Sequence, residues 1–533
     1  MSGDFPWLTV IGAVPLVGAV LVMLVPRSRP RLAKQLALLV SVVTAGLAIA
    51  MATQYDTGAA GYQFVEKHEW IPAFGVSYAL GVDGIALVLI ALAVILVPIV
   101  ILASWHDADP VVIAASADGD LPPKRPVRTF FALILVLETM MIGVFAAIDV
   151  FLFYVFFEAM LIPMYFLIGS FGGVRRSYAA VKFLLYSLFG GLLMLAAVIG
   201  LFVVAKDQLG TGTFDFSTLT GAIQNGQLEI DPVIEKLLFA GFFIAFAIKA
   251  PLVPFHTWLP DAAAEATPGS AVLMVGVLDK VGTFGMLRYC LLLFPAASRY
   301  FTPLVIVLAV VGILYGALLA IGQTDIKRLI AYTSISHFGF IALGVFAFTT
   351  QAQSGSTLYM VNHGFSTAAL FLIAGFLISR GGSRLIADYG GVQSVAPVLA
   401  GTFLIAGLST LSLPGLSPFV SEFLVLVGTF TRYQVAAVLA ALGMILAAVY
   451  VLWLYQRAMN GPVAGRAHGL GDLNRREMWA VVPLLAVIVA LGVYPQPVLD
   501  VINPAVSGTL EHVGVTDPQP TVSTSTQPQG VQP

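Results

Sequence analysis

Lys249 stands at the end of a long apolar run, just ahead of Pro251 and Pro254, in the stretch AFAIKAPLVPFHTWLPD (245–261). Proline lacks an N–H and clashes with the preceding turn. A helix reaching this point must therefore break, releasing carbonyls near residues 247 to 250 from their usual donors. At membrane depth such a break is tolerated only against protein or a water-filled cavity. It is expected to make a polar pocket for the lysine. The stretch STLSLPGLSPFVSEF (409–423) repeats the device, with Gly415 between Pro414 and Pro418 and with Glu422 following them as Lys249 precedes its own pair.

The other ionisable residues inside apolar runs are few: Glu138, Glu158, Lys280, His337 and His363. A charge at that depth costs roughly 2.5–3.5 kcal/mol on insertion scales, so each needs a partner, water or a purpose. Proton transfer is the chemistry these types serve. Glu158 and Lys249 are the expected pair; at contact distance they attract by about 4 kcal/mol at an effective dielectric near 20, which biases the proton without locking it. Lys280, His337 and His363 suit a relay, because histidine titrates near physiological pH and either ring nitrogen accepts or donates. Glu138 has two readings, a place in that path or a hydrogen bond between helices. Asp279, beside Lys280, is expected to point elsewhere around its helix. His337, among the hydroxyls of TSISHFGF, also fits a satisfied interior histidine, Trp258 a packing or interfacial residue, and Lys182 a side chain that snorkels to the surface.

The elements that position these residues follow from composition. The chain has 533 residues, 59% hydrophobic and 10% charged, which excludes a water-soluble protein with one buried core. The fold class expected is an all-α polytopic membrane protein. Apolar segments of about 20 residues, the length that crosses a bilayer, recur fourteen times: 5–26, 31–53, 79–104, 127–146, 148–171, 177–205, 234–254, 268–293, 302–322, 328–349, 357–379, 396–431, 434–457 and 477–500. The first has Asp4 before it and no cleavage site after it, so it reads as a retained span. Two Pro-interrupted spans, five apart, point to two inverted repeats, spans 4–8 (127–293) and 9–13 (302–457), after an N-terminal region 1–126 and before a last span 477–500. The loops 105–126 and 206–233 read as ordinary connections. The polar tail 507–533 is expected to be disordered.

Charge sets the orientation. All but two of the 26 Lys and Arg residues sort by side: one set of loops holds most of them, including Arg27, Lys124, Arg175, Lys327, Arg380 and Arg475, and the other only Lys67, Lys206, Lys236, Arg288, Arg299 and Arg432. The richer side is cytoplasmic by the positive-inside rule, which leaves both termini outside. Lys249 and Lys280 remain, inside spans. A net charge of −2 implies no nucleic-acid partner. The single cysteine, Cys290, excludes an internal disulfide and any Cys-based iron–sulfur or zinc site. No G-x-G-x-x-G follows a strand and no flavin pattern occurs, so redox chemistry in this chain is excluded.

Five stretches together resemble the antiporter-like membrane subunits of respiratory complex I: EAMLIPMYFLIG (158–169), IKAPLVPFHTWLPDAAAEATP (248–268), GQTDIKRLIAYTSISHFGFIALG (322–344), NHGFSTAALFLIAG (362–375) and LPGLSPFVSEF (413–423). The similarity covers roughly residues 80 to 460. The resemblance implies fourteen transmembrane helices, two inverted five-helix repeats and no cofactor in this chain. It also implies a proton path on Glu158, Lys249, Lys280, His337, His363 and Glu422. The L- and N-type subunits usually have lysine where Glu422 stands, which favours the M-type branch and its mitochondrial counterpart, chain 4. The lack of an amphipathic run after the last span also weighs against L. Partners implied are those L- and N-type subunits and the hydrophilic subunits that carry NADH, FMN, iron–sulfur clusters and quinone. The family implies a bacterial plasma membrane location and NADH-driven proton export. A multisubunit sodium/proton antiporter, a membrane-bound hydrogenase and a passive scaffold are the other readings.

Overall fold

A computed structural model describes residues 5–59, 61–109 and 123–518. The chain is mainly helical. In order, the helices are α1 (Trp7–Leu24), α2 (Pro30–Ala52), α3 (Gly84–Ala103), α4 (Val127–Ala146), α5 (Val150–Phe171), α6 (Arg176–Leu209), α7 (Phe216–Gln224), α8 (Pro232–Lys249) and α9 (Trp258–Glu265). They continue as α10 (Pro268–Leu293), α11 (Pro295–Ile321), α12 (Ile326–Phe346), α13 (Thr350–Gly381), α14 (Pro397–Thr410), α15 (Ser417–Phe430), α16 (Gln434–Met459), α17 (Arg475–Val493) and α18 (Gln496–Val513). Among the described residues 12 helices are long and apolar enough to cross a membrane. The shorter apolar helices α14 and α15 are separated by the Pro414–Gly415 break.

Helix starts follow local chemistry. Asp83, Asp149, Asp231 and Asp325 each accept backbone N–H groups of the first turn, and Asn474 with Glu477 forms a capping box; such caps satisfy donors that the helix itself cannot. Burial is graded. In their most apolar windows α1 and α2 are 33% and 28% buried, whereas α12 and α13 reach 94% and α10 reaches 100%. Leu185, Leu192, Ile199 and Val203 keep an exposed apolar stripe along α6, the surface a helix presents to lipid. Lys280, His337 and His363 therefore sit on helices that protein surrounds.

Four expectations about the elements are corrected. The fold is not all helix: β1 (Gln63–Ile71) and β2 (Val76–Val82) form an antiparallel hairpin, so the third span starts at Gly84 and not at 79. Glu66 of the hairpin accepts the Leu8 N–H at 2.7 Å, and Lys67 pairs with Asp215 at 2.6 Å. The loop 206–233 holds α7, capped by Asp215. Arg288, sorted above with an outer loop, is buried in α10 and paired with Asp83. Helix also continues past 507, because α18 runs to Val513 with Ile502, Val506, Thr509, Leu510 and Val513 on one buried face. An amphipathic helix does therefore follow the last apolar span. It is seated where the Asn503 side chain accepts from the Ser354 hydroxyl at 2.7 Å and where His512 Nε2 meets Leu292 O at 2.8 Å. Most of the 105–126 loop and of the tail lies outside the described residues.

Candidate proton-transfer site

Helix α8 ends at Lys249, and a turn through Pro251 and Pro254 leads into α9, so the chain breaks where the prolines require. Two of the released carbonyls, however, have other partners. Phe246 O takes the Ala250 N–H at 2.7 Å and Ala247 O takes Leu252 N–H at 2.8 Å. Ile248 O accepts the Trp258 indole N–H at 2.9 Å. The carbonyls of Ala247 and Ile248 are thus taken by the turn itself and by Trp258, a fully buried residue. Lys249, 1% exposed, lies over the Phe157 ring at 4.6 Å, and its Nζ has no hydrogen-bond partner. A cation over an aromatic face keeps some electrostatic stabilisation without a fixed acceptor.

Glu158, on α5 one residue after Phe157, is the expected partner. Its Oε1 has no hydrogen bond either, and the two side chains form no ion pair in this arrangement. Glu158 and Asp279 are the charges that act on Lys249. The Glu158 carboxylate fits against α6 because residue 191 is glycine: a Cβ there would overlap Oε1 and crowd Cδ. Gly191→Ala is therefore expected to push the carboxylate aside. Any proton transfer through this carboxylate should then fall several-fold while the protein still folds; an unchanged rate would show that the carboxylate's placement does not matter.

Helix α10 carries the second group. Its turns Met274–Leu278 and Met286–Cys290 are π-helical, with Asp279 N–H reaching back five residues to Met274 O at 3.0 Å. Such turns misalign carbonyls and occur often at functional sites. Lys280 Nζ donates to Val275 O, a carbonyl of that turn, at 2.6 Å and contacts His363 Nδ1 at 2.7 Å. The His363 ring stands perpendicular to that of His337, with centroids 5.2 Å apart. His337 Nε2 lies 3.5 Å from the Tyr450 hydroxyl, and the His337 and Tyr359 rings are 5.8 Å apart. The Tyr359 hydroxyl donates to Glu422 Oε2 at 3.0 Å, and the Ser412 hydroxyl donates to the same oxygen. Three of the expected residues, Lys280, His363 and His337, are thus in sequence, and Tyr359 links them to Glu422.

The remaining candidates separate. Glu138 is wholly buried with both oxygens unpaired. Lys182 pairs with Asp261 at 2.7 Å, and Arg328 pairs with the other oxygen of Asp261 at 2.6 Å, so Lys182 belongs to an ion cluster beside α9. Asp279, expected to point away, is fully buried with both carboxylate oxygens unpaired. Tyr359, Tyr450 and Ser412 were not singled out by sequence. Tyr359 could have been found from its four-residue spacing to His363, which puts both on one helix face.

The family model "NADH:quinone oxidoreductase/Mrp antiporter, TM" matches residues 147–447, a range that contains Glu158, Lys249, Lys280, His337, His363 and Glu422. NADH-quinone oxidoreductase subunit M of Mycobacterium tuberculosis is 59% identical over 98% of this chain and 97% of its own length. The chain belongs to the subunit M family of NADH-quinone oxidoreductases. The family extends to NADH-ubiquinone oxidoreductase chain 4 of Arabidopsis thaliana, 38% identical over 93% of this chain and 96% of that protein. Among solved structures, a chain of respiratory complex I from Thermus thermophilus with bound NADH superposes with a TM-score of 0.83 at 31% identity, covering 95% of this chain and all of that one. As a subunit M family member the chain is one component of an enzyme complex, and the similarity spans the breaks, α10 and the helices bearing both histidines.

Proposed function

We propose that this chain translocates protons in the membrane part of NADH-quinone oxidoreductase, using redox energy released in partner subunits. The observation that carries the reading is the series of ionisable residues Glu158, Lys249, Lys280, His363, His337 and Glu422, all but Glu158 buried, with proline breaks beside Lys249 and Glu422 and a π turn beside Lys280. In this reading the Glu158–Lys249 pair opens or closes as protons arrive, Lys280 and the histidines pass a proton on, and Glu422 releases it on the outer side. Glu138 stays outside the path. Moving one charge against 100 mV takes about 2.3 kcal/mol, an amount that this chain cannot supply because it holds no redox motif.

The reading includes fourteen membrane crossings, with 127–293 and 302–457 as repeats of opposite orientation, both termini outside and the chain in a bacterial plasma membrane. L- and N-type subunits are its neighbours. NADH, FMN, iron–sulfur clusters and quinone belong to other subunits, and metal is not required here. The family description that joins quinone oxidoreductases to Mrp antiporters favours sodium/proton exchange as the second reading. Purification through a tag on this chain separates the two. The expected result is co-purification of flavin- and iron–sulfur-bearing subunits, with NADH-driven acidification of proteoliposomes persisting in sodium-free buffer. Isolation without redox subunits, together with a strict sodium requirement, would overturn the proposal.

A further inference from the structure

Asp279 is 0% exposed, and neither of its carboxylate oxygens has a hydrogen-bond partner. Buried polar atoms are nearly always paired, so an orphaned carboxyl calls for an explanation. Its position supplies one. Gly282, three residues on and so on the same face of α10, packs directly on the end of α8: a Cβ there would lie 2.5 Å from Phe246 O and 2.6 Å from Ala250 N. Ala250 is the residue after Lys249. That face of α10 therefore looks at the Lys249 break, while the next residue, Lys280, reaches the other way to Val275 O and His363. Lys249 and Lys280 are the two charges that act on Asp279. Passage of a proton from one lysine to the other is aided by a group between them that can both accept and donate.

We propose that Asp279 is that acceptor, a relay carboxylate joining the Glu158–Lys249 pair to the Lys280–His363–His337 series. The inference rests on the proton-translocating reading above and deepens it. In the first step the Lys249 ammonium gives its proton to the Asp279 carboxylate, leaving a neutral amine and a carboxylic acid. In the second step the acid gives the proton to neutral Lys280, restoring carboxylate and forming ammonium. Charge and protons balance at each step, and an acid between two amines keeps both lysines from being charged side by side without a counter-ion. The π turn ahead of Asp279 sets this arrangement by shifting residues 279 and 280 away from regular α-helical register.

The test is Asp279→Asn in the assembled complex, measured beside Asp279→Glu and Lys249→Ala for protons moved per NADH oxidised. Asparagine keeps the shape and removes the proton site. The expected result is a roughly tenfold lower rate of coupled proton movement, the scale of a lost proton-transfer group, with substantial recovery in the glutamate variant. A merely structural role would lower the amount of assembled complex and leave the rate per assembled complex unchanged. Wild-type pumping in Asp279→Asn alongside loss in Lys249→Ala overturns this inference alone, and wild-type pumping in both overturns the underlying reading as well. Should Asp279→Asn fail to assemble, a hydrophobic carbodiimide, which adds to protonated buried carboxylic acids, is applied to the wild-type complex. Adduct on the peptide containing Asp279 supports the proposal. Adduct confined to Glu158 or Glu422 overturns it.

Discussion

Lys249→Ala is expected to lower coupled quinone reduction and proton movement at least roughly tenfold, on the scale of a lost proton-transfer group, with the complex still assembled. The ammonium group has no hydrogen bond to lose, only its position over Phe157, so truncation removes a desolvated charge from the interior without leaving a broken network. Folding should tolerate this, since removing one buried, unpaired cation relieves a desolvation cost. Function should not. Without the amine, Glu158 has no neighbouring cation against which to exchange a proton, and Glu158→Ala should mirror the loss. NADH oxidation and vesicle acidification measured on the same preparation check this. Wild-type rates of quinone reduction and proton movement in both variants would remove the pair from the path.

Glu422→Gln is expected to have a comparable effect at the other end. Glutamine preserves size and leaves one oxygen to accept from Tyr359 and Ser412, so α15 should stay seated on α13 through the bonds from Asn362 to Ser417 O at 2.7 Å and to the Ser421 hydroxyl at 3.3 Å. What disappears is the group that can take the proton and release it. The predicted outcome is proton movement reduced roughly tenfold or more with wild-type amounts of assembled complex. Retention of full pumping by the glutamine variant would rule out Glu422 as the outward release group.

Much of this site was legible because an ionisable residue in an apolar run has few innocent explanations. Lys249 and Glu422 were marked further by prolines, whose missing N–H interrupts a helix whatever surrounds it. Ser412, by contrast, is an ordinary residue by type; it serves the site because the break holds it at φ +61°, an uncommon conformation for a residue with a side chain. Asp279 was set aside because it points elsewhere around its helix than Lys280, and nothing in composition showed that the Lys249 break lies on that side. The carbonyl pocket was misjudged for a different reason. Which groups a released carbonyl finds depends on the path after the break, and here the indole N–H of Trp258 returns to Ile248 O. Pro497 and Pro504 obscured the apolar face of α18, and the β1–β2 hairpin merged with the apolar run that follows it.

The complete enclosure of α10 bears on how the protein is made. Three ionisable side chains, Asp279, Lys280 and Arg288, ride on one segment with no lipid-facing side, and each opposes its transfer into oil by roughly 2.5–3.5 kcal/mol. The counter-ion of Arg288, Asp83, is synthesised some two hundred residues earlier. The histidine that meets Lys280 emerges later, at position 363. The final environment of this segment is thus completed only when helices made before and after it close around it.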